Sequence, residues 1–203
     1  MITIIDYGLG NIQAFANIYQ RLNIPVAVAK TDSELAGAER IILPGVGAFD
    51  WAMTRLEESG MRACLDDLVM VKKRPVLGVC VGMQMMARSS DEGKLPGLGW
   101  IDAEVKRFDE RGFRQQTHLP HMGWNDVCPV DQGNLFKGIP APRFYFLHSY
   151  YFAPATPDSV LAQTDYNGYF ASAVRAGNVF GTQFHPEKSH QCGIQLLKNF
   201  AEL

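Results

Sequence analysis

The chain is 203 residues long, 47% hydrophobic and 20% charged, which is one globular domain's worth of sequence with enough apolar material for a real core. A net charge of -2, with no basic run longer than KKR at 72–74, excludes a dedicated nucleic-acid surface, and no apolar stretch approaches the ~18 residues that span a bilayer. The opening MITIIDYG lacks a basic leader and the four cysteines form no CxxC pair, so a reduced, cytoplasmic chain with no membrane role is expected.

In chain order, ITII (2–5) reads as a strand. It is followed by a helix with Ile12, Phe15, Ala16, Tyr19 and Leu22 on one face and Asn11 as its cap. PVAVA (25–29) and RIILP (40–44) are further strands, with a polar turn region between them. PGVGAFD (44–50) leads into a helix through Trp51, Met53 and Leu56. A helical stretch over 61–72 precedes the strand PVLGVC (75–80), and 81–88 reads as helix again. This alternation predicts a parallel sheet with crossover helices. After residue 100 the texture changes. WIDAEVKRF (100–108), RFYFLHSYYF (143–152), SVLAQTDY (159–166), YFASAVRAG (169–177) and VFGTQFH (179–185) are aromatic, β-branched or alternating. Asn167-Gly168 supplies a hairpin turn between two of them. An amphipathic helix from about Gly193 to Leu203 ends the chain. The expectation is a single α/β domain over 1–203, a mixed, mostly parallel sheet flanked by helices, with an antiparallel extension.

Within this frame Gly78-Val79-Cys80-Val81-Gly82 stands where strand turns into helix. Such a junction strains its central residue, lifts the side chain clear of the sheet and sets it at a helix N-terminus, where thiolate is favoured. The plain alternative is a small buried cysteine with incidental glycines. A nucleophile needs a base and something to orient that base. Of the five histidines, His118 and His121 in THLPH fit an irregular segment, either as a metal pair or as loop histidines lacking further ligands at useful spacing. His148 lies in an aromatic strand as a core or pocket residue, and His190 precedes the last helix and reads as exposed. His185 ends an apolar strand and is followed by Pro186 and Glu187, so an extended chain would project imidazole and carboxylate the same way. Cys80, His185 and Glu187 together form an acyl-transfer set. PGVG (44–47), with Gly45, Val46 and Gly47, is a glycine-rich loop at a strand's carboxyl end whose N–H groups are candidates for an oxyanion hole, or else an ordinary turn. Asp6-Tyr7-Gly8-Leu9-Gly10-Asn11 fails the GxGxxG pattern because residue 13 is Gln, which argues against a dinucleotide site.

DYGLGN (6–11), LPGVGAF (43–49), GVCVGMQ (78–84), PHMGWN (120–125), FLHSYY (146–151) and FHPEKS (184–189) span nearly the whole chain. In that order they resemble the class I, triad-type glutamine amidotransferases of flavodoxin-like fold. Within these, they resemble the branch formed by the glutaminase subunit of imidazole glycerol phosphate synthase. Val81 replaces a commoner leucine, and GLGWIDAEVKRF (97–108) is closer to a side branch that aminates a surface-polysaccharide sugar, which leaves the acceptor open. The resemblance implies that Cys80 attacks the carboxamide of L-glutamine, His185 moves protons and Glu187 holds the imidazole. It adds the N–H of Val81 to the oxyanion donors, and Gln84, Ser149 and Tyr150 as holders of the substrate's amino-acid end. No metal or cofactor is implied. It further implies a heterodimer with an ammonia-consuming (β/α)8-barrel cyclase of histidine biosynthesis, docked near Met122, Trp124 and Asn125, with Trp124 as a plain core residue the alternative. A cysteine peptidase or γ-glutamyl hydrolase on the same elbow, or a binding module with an inert site, are the competing classes.

Overall fold

The computed structural model describes residues 1–112, 118–130 and 133–203. The first half runs β1 (Ile2–Ile5), α1 (Ile12–Arg21), β2 (Val26–Ala29), α2 (Asp32–Leu35), β3 (Arg40–Gly45), α3 (Phe49–Glu58), α4 (Arg62–Asp66) continuing into a π turn, β4 (Val76–Cys80) and α5 (Val81–Gln84). Strands dominate thereafter: β5 (Ser89–Ser90), β6 (Ala103–Arg107), β7 (His121–Asp126), β8 (Cys128–Pro129), β9 (Arg143–His148) and β10 (Tyr150–Pro154). Then come β11 (Val160–Asp165), β12 (Tyr169–Ala176), β13 (Val179–Thr182) and finally α6 (His190–Ala201).

One mixed sheet carries the order β2-β1-β3-β4-β13-β12-β10-β6-β5, with β11 pairing β12 and β8. The β2-to-β13 half is parallel and β12, β10, β6 and β11 form the antiparallel extension. β1, β3 and β4 are buried almost throughout, as expected of central parallel strands covered on both faces; this is why ITII, IILPG and VLGVC are unbroken apolar runs. α1 buries Phe15, Ala16 and Tyr19 as its periodicity requires, and the Tyr19 hydroxyl donates to the Leu197 carbonyl at 3.1 Å, tying α1 to α6. β7 and β9 stand apart as a two-stranded antiparallel ribbon, joined to the main body by the bridge between Tyr145 and His185. The carboxyl ends of β3, β4 and β13 therefore converge beside this ribbon.

Several local expectations need correction. Asn11 occupies the cap position of α1 but its side chain makes no capping bond. The polar region after β2 contains the single helical turn α2. The helix expected over 81–88 stops at Gln84, because the carbonyls of Met85, Met86 and Ala87 turn to accept from Leu98, Ile101 and Gly99 (2.7, 3.1 and 3.0 Å). RFYFLHSYYF is two strands, not one: Ser149 is the point where the chain leaves β7 and joins β6 and β12. His121, expected in an irregular segment, is instead the first residue of β7. α6 begins at His190, earlier than expected, since the Ser189 carbonyl already accepts from Gly193 at 3.1 Å.

Candidate active site

Cys80 is the last residue of β4 and has φ 55° and ψ -114°, a backbone region that residues with side chains rarely occupy. The flanking glycines are what let the elbow close. A Cβ on Gly82 would overlap the Leu43 carbonyl oxygen, and one on Gly78 would lie 2.6 Å from the Gly82 carbonyl oxygen. α5 is a single turn, so its dipole is shorter than the sequence promised. Side chains supply the polarity instead: Gln183 Nε2 donates to Cys80 Sγ at 3.8 Å, and the same sulfur acts on His185, raising the pKa of its ring.

His185 follows β13, and its N–H donates to the Tyr145 carbonyl at 2.9 Å. Pro186–Lys188 form a 3-10 turn rather than the extended run expected, with Lys188 N–H returning to the His185 carbonyl at 3.1 Å. That turn folds Glu187 back so that His185 Nδ1 donates to Glu187 Oε1 at 2.9 Å, both side chains buried. Burial pulls the imidazolium pKa down, but the Cys80 sulfur and the Glu187 carboxylate together outweigh it and hold the ring above its usual range. A thiol, an imidazole and a carboxylate thus stand in series at a cleft of about 320 Å³.

Val46, Gly47, Val81, Gln84, Ser149 and Tyr150 all line this cleft. Gly45 sits behind it, paired with Cys80 in the β3–β4 ladder. Met122 and Trp124 are 66% and 41% exposed on the outer face of β7, so the core reading of Trp124 is excluded. Asn125 points the other way: its Nδ2 donates to the Asp165 carbonyl at 3.0 Å and reaches His121 Nε2 at 3.2 Å, so its amide is engaged inside the protein.

A family model for class-I glutamine amidotransferases matches residues 3–203. The chain belongs to that family. It is 61% identical to the imidazole glycerol phosphate synthase subunit HisH of Bdellovibrio bacteriovorus and 52% identical to that of Leptospira interrogans, each over the full length of both chains. A subunit HisH 2 of Pseudomonas aeruginosa is 48% identical, also over both full lengths. The crystal structure of a glutamine amidotransferase superposes with a TM-score of 0.76 at 20% identity, covering 100% of this chain and 99% of that one. PurLQS from Thermotoga maritima gives 0.74 at 16% identity, covering 99% and 97%. These two likenesses show the fold.

The amidotransferase cleft also holds residues that motif reading passed over. Glu92 lines it, with Oε2 accepting the Phe49 N–H at 2.9 Å; partial burial and the nearby Asp50 raise its pKa, against the pull of that bond. It lies in an irregular stretch with no periodic signal. Gln183 is fully buried next to the HPE motif, where nothing in the spacing marks it.

His121 and His148, read separately in the sequence, are paired: His121 Nδ1 and His148 Nε2 are 2.9 Å apart, and His148 Nδ1 is 2.8 Å from the Tyr150 carbonyl. Burial lowers the pKa of His121 to about 4. Burial, with the charge of His121 next, lowers His148 to about 3. Both are neutral in the fold, whereas an unfolded histidine titrates near 6.5, so their stabilising contribution is full above pH 6.5 and is lost as pH falls. For His148 the slope is about 1.4 kcal/mol per pH unit, with His121 adding in the same direction. Urea unfolding at pH 7 and pH 5 is therefore expected to show a marked acid loss, smaller in His148→Asn; equal stability at the two pH values would refute it.

Proposed function

We propose that this chain is the glutaminase subunit of an imidazole glycerol phosphate synthase, releasing ammonia from L-glutamine for histidine biosynthesis. The observation that carries the chemistry is the strained Cys80 lining one substrate-sized cleft with His185, whose ring is bonded to Glu187 and whose pKa the Cys80 sulfur raises. The Cys80 sulfur attacks the glutamine carboxamide carbon. The C=O π pair moves to oxygen, and the N–H groups of Val81 and the Val46–Gly47 loop receive that charge. The His185 imidazolium protonates the departing amide nitrogen, the C–N bond breaks and ammonia leaves. Water, deprotonated by the now neutral His185, then attacks the thioester and returns glutamate and the thiol. Glu187 holds the ring on the axis of both transfers.

The amino-acid end of glutamine is assigned to Gln84 and Glu92. The Gln84 Nε2 hydrogens are committed to the Tyr150 carbonyl (3.1 Å) and Gln183 Oε1 (3.0 Å), which leaves its Oε1 as an acceptor. A carboxylate and an acceptor oxygen suit an α-ammonium, not an α-carboxylate. Ser149 and Tyr150 border the same end.

The partner proposed is the (β/α)8-barrel cyclase, which consumes the ammonia, and the relatives named above are subunits of such a synthase. Met122, Trp124 and Leu147 form an exposed apolar face on the ribbon next to the cleft, with Trp124 stacked on His190 at 5.1 Å and 2°. An aromatic anchor on a raised ribbon suits a docking hot spot. The PGVG loop is suited to gating, because a peptide flip at glycine costs only about 1–3 kcal/mol, worth roughly tenfold to a hundredfold in rate. Glutamate release is therefore expected to be slow for the free chain and to rise at least about tenfold with cyclase and acceptor present. Trp124→Ala should diminish the rise more than the basal rate. A free chain already at the stimulated rate refutes gating; stimulation by a sugar-aminating enzyme instead of the cyclase would assign the other acceptor.

A further inference from the structure

We propose that His121 and His148 are positioning residues for glutamine hydrolysis, in a hydrogen-bond chain that links Asn125 on β7 to the sulfur of Cys80 through one shared acceptor, the Tyr150 carbonyl. The proposal deepens the reading of Cys80 as nucleophile and rests on it. The direction of every link follows from groups that can only accept. The Asp165 carbonyl takes one Asn125 Nδ2 hydrogen at 3.0 Å, while Asn125 Oδ1 accepts the Asp126 N–H at 2.8 Å, so the amide cannot turn over. Its second hydrogen goes to His121 Nε2 at 3.2 Å, which places the ring proton of His121 on Nδ1, facing His148 Nε2 at 2.9 Å. His148 then carries its proton on Nδ1 and donates to the Tyr150 carbonyl at 2.8 Å. The same carbonyl accepts from Gln84 Nε2 at 3.1 Å, Gln84 donates on to Gln183 Oε1 at 3.0 Å, and Gln183 Nε2 donates to Cys80 Sγ at 3.8 Å.

The purpose of the chain lies at its last link. A glutamine amide has nearly the same shape when turned by 180°, so packing alone does not choose whether N–H or C=O faces the sulfur. The two choices have opposite effects on a thiolate. The Tyr150 carbonyl can only accept, so it fixes which way the Gln84 amide faces, and Gln84 fixes Gln183; His148, set by His121, holds that carbonyl in place. His121 is itself clamped between Tyr166 and Phe146, with ring centroids 3.9 and 4.7 Å away and planes within 22° and 21°. Without the His148 donor the Tyr150 carbonyl loses one of its two partners and can shift, and the Gln84 and Gln183 amides that take their positions from it shift too.

The test is the rate at which iodoacetamide alkylates each cysteine of the full chain at pH 7, read by peptide mass spectrometry, together with kcat and KM for glutamine. Removing an indirect support for the hydrogen bond to the nucleophile's sulfur should cost about tenfold, within the range for such bonds. His148→Leu is expected to slow Cys80 alkylation and kcat by about that factor, with exposed Cys128 unchanged as the internal control. His148→Asn, whose amide nitrogen takes the place of Nδ1, should restore both. A folded His148→Leu that reacts at the original rate, or a His148→Asn as slow as His148→Leu, overturns the chain and leaves the nucleophile standing. Should His148→Leu fail to fold, His121→Leu against His121→Asn gives the same comparison: slowing with rescue supports the chain, and its absence overturns it. If Cys80 of the unaltered chain reacts no faster than Cys128, the catalytic reading falls, and the chain with it.

Discussion

Cys80→Ser is expected to abolish glutamine-dependent synthesis by the assembled synthase while leaving synthesis from added ammonium salts intact. A serine hydroxyl ionises far less readily than a thiol, and the elbow provides what a sulfur anion needs: an imidazolium and the Gln183 N–H. The ring of His185 is held protonated partly by that sulfur, so the substitution removes the nucleophile and unsettles the base together. Loss should be at least about a thousandfold in glutamate release, since members of a catalytic unit do not act additively. Ammonia-dependent turnover belongs to the partner's chemistry and should survive. Its loss in a correctly assembled complex would contradict this division of labour, and appreciable glutamine hydrolysis by Cys80→Ser would remove Cys80 from its role.

Gly82→Ala should be a strongly damaging single-methyl change near the site. The added carbon would overlap the Leu43 carbonyl oxygen, and it would also lie 3.2 Å from the Pro44 carbonyl carbon. These are backbone atoms of β3 and cannot rotate away as a flexible side chain would. Either the start of α5 lifts off β3 or the PGVG segment shifts, and both carry the proposed oxyanion donors. Overpacking of this kind costs about 1–3 kcal/mol in stability. A displacement near 1 Å at the reacting groups costs about a hundredfold in rate. The expected result is a folded protein with a lowered Tm and glutamate release reduced by about two orders of magnitude. Wild-type turnover in Gly82→Ala would show that the contact between elbow and β3 is slack. As a control, Gly112→Ala meets no atom within 4 Å and should change neither.

The grouping of Cys80, His185 and Glu187 was legible because the proposed triad sits in two short motifs with chemical meaning of their own: a glycine-flanked cysteine at a strand end, and HPE after another strand. The fold was legible for a related reason. Central parallel strands must be apolar on both faces, and ITII, IILP and VLGVC say so without any partner in view. Misreadings fell where a neighbouring segment claimed backbone groups that local pattern assigns elsewhere. The carbonyls of Met85, Met86 and Ala87 go to residues 98–101 and end a helix whose side chains are all compatible with continuing it. Ser149 divides an aromatic run that no breaker residue divides.

What the linear order of residues determined by itself was the alternation of elements, the apolar faces that must be buried, and the reaction type proposed for Cys80, His185 and Glu187. Tertiary structure decided which way the conformationally ambiguous groups point. His121 and His148 are 27 positions apart and become a pair only because β7 and β9 place them opposite one another. Asn125, one residue from an exposed tryptophan, turns inward because strand alternation puts it on the other face. Glu92 enters the cleft from an irregular segment with no period to betray it. Amides and imidazoles take their roles from what surrounds them, and sequence pattern does not encode those surroundings.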